Sequence, residues 1–75
     1  MRFEDFAGGM IAVSREVVDA KQVELTRLLN LSSGAMSQVE GGIKGLRAEK
    51  LLMALDYLGV DLNWFWKEWS IHKYT

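Results

Sequence analysis

The segment from Asn30 to Gly42, NLSSGAMSQVEGG, holds the polar groups whose types and spacing best suit the binding of a partner. Its first half, Ser32 to Ala35, carries only very small side chains, whereas Gln38 in the second half is a long amide. Small side chains on the first turn of a helix let a large partner approach the backbone, and the free N–H groups there attract anions. The alternative is a simple turn with a serine N-cap, and the segment taken alone favours that alternative.

Residues for catalysis or metal binding are scarce. His72 is the only histidine and has no second ligand at metal spacing, cysteine is absent, and no serine, aspartate and histidine fall into a nucleophilic arrangement. The glycine-rich GGIKG, residues 41–45, lacks the preceding strand and the Lys-Ser/Thr pair of a phosphate-binding loop. The sequence therefore predicts a protein that is not an enzyme and has no cofactor, metal or small-molecule ligand.

Length and composition are those of a small globular protein. The chain has 75 residues, of which 49% are hydrophobic and 25% charged, so we expect a single domain over residues 1–75. Its net charge of −1 is low for a nucleic-acid-binding domain, although a local basic patch is enough to bind DNA. The apolar runs are too short to span a membrane and no signal-peptide h-region is evident, so we expect a cytoplasmic protein with no membrane partner.

Helical periodicity, punctuated by glycine and uninterrupted by proline, divides the chain into short helices. The pattern predicts an all-α fold in which an N-terminal segment, residues 1–9, is weakened as a helix by Gly8-Gly9. Five helices are expected, over Met10–Asp19, Gln22–Leu29, a third from an N-cap at Ser32 or Ser33 to Glu40, Arg47–Leu58, and Leu62 to about Trp69. The helix-turn-helix core is placed at residues 10–66 and a C-terminal tail at residues 67–75.

Each predicted helix has one apolar face that should point inward. The expected inward residues are Ile11, Val18 and the stem of Arg15, then Leu25, Leu28 and Leu29, then Leu51, Ala54, Leu55 and Leu58, and finally Phe65 after Leu62. Phe3 and Phe6 are spaced to pack as a pair. Asn30 and Gly59 suit helix ends, and Asp61 suits the N-cap of the last helix.

Residues 10–66 resemble the helix-turn-helix domain of phage repressor and Cro proteins, often called the Xre family. The likeness is carried by QVELTRLLNLSSGAMSQVEGG, residues 22–42, and by LLMALDYLGVDLNWFW, residues 51–66. In the family's pattern Gln22 opens the second helix, Leu31-Ser32 forms the turn, and Met36 and Val39 are the buried residues of the recognition helix. The resemblance implies a lambda-repressor-like fold of five short helices.

The resemblance also implies a surface that binds double-stranded DNA. In this motif the N-terminal residues of the recognition helix face base edges in the major groove. Gln38 can then bind adenine N6 and N7 with two hydrogen bonds, and Gln22 occupies a phosphate-contact position. The expected DNA-binding residues are Lys21, Gln22, Ser32, Ser33, Gly34, Ser37, Gln38 and Lys44, with Arg27 and Arg47 able to flank the same surface.

Two further features follow from the resemblance. Arg15 and Glu40 match a pair that bridges the first helix to the recognition helix, the alternative being two unpaired surface charges. Trp64 lies near the position of the family's dimer contact. Because a chain this small has too little core to bury three tryptophans, Trp64, Trp66 and Trp69 predict a homodimer interface. The alternative for these rings is to cover the core and hold Phe3 and Phe6.

The resulting prediction is a homodimeric, sequence-specific DNA-binding transcriptional regulator, most like a phage or prophage repressor, that acts by occupying an operator. The alternative is a protein-binding adaptor, an antirepressor or antitoxin-like protein, that uses the same fold without reading DNA. The near-neutral charge and the sparse recognition helix favour the adaptor, whereas the match through both helices of the motif favours the regulator.

Overall fold

The computed structural model describes residues 1–74 and confirms the predicted all-α class. No strand occurs within these residues. The five helices are α1 Phe3–Val17, α2 Gln22–Leu29, α3 Ser33–Glu40, α4 Ala48–Tyr57 and α5 Leu62–His72.

Helix α1 begins seven residues earlier than predicted, at Phe3 rather than Met10, and ends at Val17 rather than Asp19. The N-terminal segment 1–9 is therefore mostly helical, and Gly8-Gly9 does not interrupt it. Gly8 is buried against α3, where a Cβ would collide with the carbonyl oxygen of Val39. This close contact between helices explains a glycine that costs about 0.5–1 kcal/mol of local helix propensity.

Helices α2 and α3 have the predicted bounds because their ends are determined by local hydrogen bonds. Ser32 is the N-cap of α3, and its Oγ accepts a hydrogen bond from the Ala35 N–H at 3.0 Å. Asn30 ends α2 in the left-handed conformation, with φ 54°. At the start of α2 the Glu24 carboxylate accepts a hydrogen bond from the backbone N–H of Lys21 at 3.2 Å.

Helix α5 starts as predicted but extends beyond Trp69. Asp61 is its N-cap and accepts a hydrogen bond from the Trp64 N–H at 2.8 Å. The helix continues to His72, so most of the predicted tail is helical. Trp69 stabilises this extension, since its ring lies 5.1 Å from Phe3 and 5.5 Å from Phe6, between centroids.

The core lies where α1, α2, α3, α4 and α5 meet. Its buried apolar residues are Phe6, Ala7, Ile11, Leu25, Leu29, Met36, Val39, Ala54, Leu55, Leu58 and Phe65. The expected inward position of Val18 is wrong, because the residue follows the last turn of α1 and is 51% exposed. Leu62, on the first turn of α5, is also exposed, whereas Leu28 and Leu51 pack against the edge of the core. Within residues 1–74 no helix has the length and apolar character needed to cross a membrane.

Candidate nucleic-acid interface

Helix α3 has one buried side and one exposed side. Met36 and Val39 are buried where α3 packs on α1 and α2. Positions 33, 34, 37 and 38 share the opposite face, because residues four apart on a helix are neighbours. The four residues predicted at groove-facing positions, Ser33, Gly34, Ser37 and Gln38, are all exposed, and so is Ser32, which was also predicted to bind DNA.

A network of polar side chains ties α3 to α1 and α2. The Arg15 guanidinium makes two hydrogen bonds to the Glu40 carboxylate, from Nε to Oε2 at 2.9 Å and from Nη2 to Oε1 at 3.1 Å. The Gln22 Nε2 donates to Glu40 Oε1 at 3.2 Å, and the Ser37 hydroxyl donates to Gln22 Oε1 at 3.3 Å. The pair predicted from the sequence is therefore present, and Gln22 belongs to the same network.

The Arg15–Glu40 pair is mostly shielded from solvent, with side-chain exposures of 18% and 10%. The hydrogen bond to Glu40 raises the pKa of Arg15, against an opposing effect of burial. Arg15 also donates from Nη1 to the carbonyl oxygen of Ala20 at 3.1 Å, in the loop before α2. One guanidinium thus links the end of α1, the α1–α2 loop and the end of α3.

The first turn of α3 is open to a partner. The earliest hydrogen bond of this helix runs from the Met36 N–H to the Ser32 carbonyl at 3.0 Å, so the N–H groups of Ser33 and Gly34 point out of the helix end. A Cβ at Gly34 would have no neighbouring atom within 4 Å. Nothing inside the protein therefore requires a glycine at this position.

A basic hollow of about 380 Å³ borders the α2–α3 turn at Leu31. Its charged lining residues, Lys44, Arg47 and Lys50, are all cationic. Arg47 is the N-cap residue of α4 and makes no side-chain capping bond, so the first N–H groups of α4 remain open. The hollow combines three cations and a helix N-terminus, which suits a phosphate-bearing partner.

The remaining basic candidates lie apart from this hollow. Lys21, the N-cap residue of α2, and Arg27, in the last turn of α2, are both exposed. Lys50 was not among the residues predicted to bind DNA, although its i, i+3 spacing from Arg47 on the first turn of α4 was a usable signal. The hydrogen bond between Gln22 and Ser37 was not predicted either, because residues fifteen apart in the chain give no local signal of a contact.

The three tryptophans have different surroundings. Trp69 is partly buried against Phe3 and Phe6, which is the core-covering role left open by the sequence. Trp66 is 62% exposed and lines a groove between α4 and α5, whereas Trp64 is 48% exposed and lines a separate hollow between α1 and α5. Two exposed aromatic surfaces therefore flank α5.

No protein-family model, no curated protein and no solved structure matches this chain.

Proposed function

We propose that this protein is a sequence-specific, duplex-DNA-binding transcriptional regulator of the phage repressor type, with a lambda-repressor-like helix-turn-helix. The observation that carries the proposal is that α3 is held firmly against the rest of the protein while one of its sides stays exposed. Its inner side is buried at Met36 and Val39 and its end is tied by Glu40 to two other helices, while its outer side is exposed. Such a helix can enter a major groove as a rigid element, with its N-terminal residues against base edges.

The basic hollow supports the proposal because it places three cations close together on a chain that is nearly neutral overall. Lys44 and Arg47 lie in the segment between α3 and α4, and Lys50 lies on the first turn of α4. Contacts of such residues to phosphates fix the position of a protein on DNA without reading its sequence. A local patch of this kind offsets the net charge of −1.

The proposed active species is a homodimer. The outer side of α3 offers one long amide, Gln38, and several small groups, so a single copy makes few base contacts. Two copies double those contacts and make the spacing of two half-sites part of recognition. The exposed rings of Trp64 and Trp66 on α5 provide the aromatic anchors for association.

Selection from a pool of random duplex DNA tests this function directly. We expect an enriched sequence with two-fold symmetry and half-sites roughly 10 bp apart, or a multiple of one turn. The logarithm of the binding constant should fall linearly with the logarithm of salt concentration, with a slope of about −0.9 per phosphate contacted. Failure to enrich any sequence, together with a flat salt response, would count against the proposal.

The second candidate is the protein-binding adaptor, and one observation favours it. The groove between α4 and α5, of about 440 Å³, is lined entirely by apolar residues that include Leu52, Leu62 and Trp66. Exposed apolar surfaces of this kind commonly mark protein interfaces. The two functions separate in one comparison: an adaptor binds its protein partner equally well after Gln38→Ala, whereas a DNA-binding regulator loses preference for its operator.

A further inference from the structure

The hydrogen-bond network of α3 constrains which groups can donate and which can accept. A guanidinium can only donate hydrogen bonds and an ionised carboxylate can only accept them. Arg15 therefore uses both oxygens of Glu40, at 2.9 and 3.1 Å, and places Glu40 Oε1 towards Gln22 as an acceptor. The contact of Arg15 with the Ala20 carbonyl holds the guanidinium in this orientation.

The orientation of the Gln22 amide follows from Glu40. An amide has a donor end and an acceptor end, and reversing it would place the Gln22 Oε1 against the Glu40 carboxylate, two acceptors with no proton between them. Gln22 must therefore direct Nε2 to Glu40, at 3.2 Å. Its acceptor, Oε1, then faces the Ser37 hydroxyl at 3.3 Å.

The Ser37 hydroxyl donates its single proton to Gln22 at 3.3 Å, while its oxygen keeps lone pairs that can accept. Ser37 is exposed on the outer side of α3, so the free part of this hydroxyl can only accept. A serine with a freely rotating hydroxyl bonds to either kind of base edge and discriminates poorly. A serine whose hydroxyl can only accept a hydrogen bond prefers a base edge that presents a hydrogen-bond donor.

We infer that Ser37 is a specificity-determining residue that recognises an exocyclic amine in the major groove, adenine N6 or cytosine N4, and that Gln22 and Glu40 are positioning residues that impose this preference. The inference rests on the proposed function and deepens it. The major groove presents these two amines as donors, whereas guanine O6 and N7 and thymine O4 are acceptors that Ser37 cannot serve in this state.

Base analogues in the selected operator test the inference. Adenine is replaced by purine, or cytosine by 2-pyrimidinone, one position at a time, which removes the amine and keeps the ring. At one position per half-site, wild type should lose about fivefold in affinity, the effect of one net hydrogen bond. Ser37→Ala should lose no further affinity at that position, because the partner of the amine is already absent.

Gln22→Met is the test of the positioning role. It keeps a side chain of similar length but removes both hydrogen-bonding ends, so the Ser37 hydroxyl is free to rotate. Overall affinity should fall on all sequences, since Gln22 is also a proposed phosphate contact. Where the amine is adenine N6, the loss on removing it should shrink to less than about twofold, because the freed hydroxyl can instead donate to the N7 acceptor that purine retains. Ser33→Ala is the matched comparison: whatever its overall affinity, it should retain the fivefold amine dependence at that position.

The outcomes separate this inference from the proposed function. If no duplex is enriched, the proposed function fails and the inference falls with it. If an operator is found but amine removal affects wild type and Ser37→Ala equally at every position, DNA binding stands and the role of Ser37 is overturned. The role of Ser37 is also overturned if, at the position where affinity depends on Ser37, the base is guanine and affinity falls when 2-aminopurine removes its O6.

Discussion

Glycine residues that look alike in the sequence occur at their positions for different structural reasons. Gly8 is required by the contact of α1 with Val39, and Gly42 combines a positive φ of 78° with close contact to Asp5. Gly34 has open space around it and lies within an α-helix. Because the fold does not require this glycine, its missing side chain leaves room for a partner on the side of α3 that we propose binds DNA.

Gly34→Ala should therefore stabilise the protein and weaken its function. Alanine in place of an exposed helical glycine is expected to raise the free energy of unfolding by about 0.5–1 kcal/mol. Its methyl group should reduce operator affinity by hindering the approach of DNA to the first turn of α3. Thermal or denaturant unfolding and a DNA-binding titration measure the two effects.

Gly9→Ala is the matched control, because Gly9 is also helical and also has no atom within 4 Å of a Cβ position. It should stabilise the protein by a similar amount and leave DNA binding unchanged. Equal DNA affinity of Gly34→Ala and wild type would show that DNA does not approach α3 at this residue.

Gly8→Ala should have the opposite effect on stability. The added methyl group must push α1 away from the backbone of α3, and overpacking of this kind costs about 1–3 kcal/mol. A lower midpoint of unfolding is expected despite the better helix propensity of alanine. An unfolding midpoint equal to that of Gly9→Ala would mean that α1 can move away from α3 at little cost in free energy.

At the scale of elements, the angle of α3 depends on the link from α1. A double-mutant cycle with Arg15→Met and Glu40→Gln measures the pair, and we expect a coupling energy of about 1–3 kcal/mol because both side chains are mostly shielded from solvent. The exposed pair of Arg2 and Glu4, with atoms 3.7 Å apart and exposures of 64% and 40%, is the control. Its coupling should lie within about 0–1 kcal/mol, and the same small value for Arg15 and Glu40 would contradict a structural role.

The basic hollow near the start of α4 is expected to contact phosphates. Lys44→Ala and Lys50→Ala should each weaken binding to all DNA sequences alike and reduce the salt slope by about one unit, because a phosphate contact releases counterions. Lys67→Ala, an exposed lysine of α5, should leave the slope unchanged. Salt titrations with operator and random duplexes measure both quantities, and equal slopes for all variants would exclude the hollow from the interface.

At the scale of the whole molecule, we expect self-association and folding stability to depend on different tryptophans. The exposed ring of Trp66 should contribute to a dimer contact, and Trp66→Ala is expected to shift the protein towards monomer with its helical content retained, since interface aromatics typically cost about 2 kcal/mol or more when truncated. Sedimentation and operator titration measure this shift. A wild type that sediments as a monomer at micromolar concentration would contradict the proposed dimer.

Trp69→Ala serves as the contrasting variant. Trp69 packs on Phe3 and Phe6, so its truncation should reduce the free energy of unfolding by about 3 kcal/mol. Its main effect is expected on the unfolding midpoint rather than on the monomer–dimer equilibrium of the folded chain. A loss of dimer without a loss of stability would instead support the prediction from the sequence that Trp69 belongs to the dimer interface.

The sequence by itself determined the features that depend on neighbours in the chain. The bounds of α2 and α3 and the N-cap Asp61 were predictable, and the N-cap of α3 was predictable to within one residue, as Ser32 or Ser33. The burial of Met36 and Val39 was expected from the family's pattern and agrees with their apolar spacing. Capping bonds and helical periodicity involve residues within about one turn of each other, so the local sequence contains the necessary information.

Only the tertiary structure decided the features that depend on contacts between distant segments. The helical state of residues 3–9 and the extension of α5 to His72 follow from how α1 meets α3 and α5. The grouping of Lys50 with Lys44, and the bond from Ser37 to Gln22, also join residues on separate elements. The free energy of such contacts depends on which faces meet after the chain has folded, and it can override local propensity, as the glycine at position 8 shows.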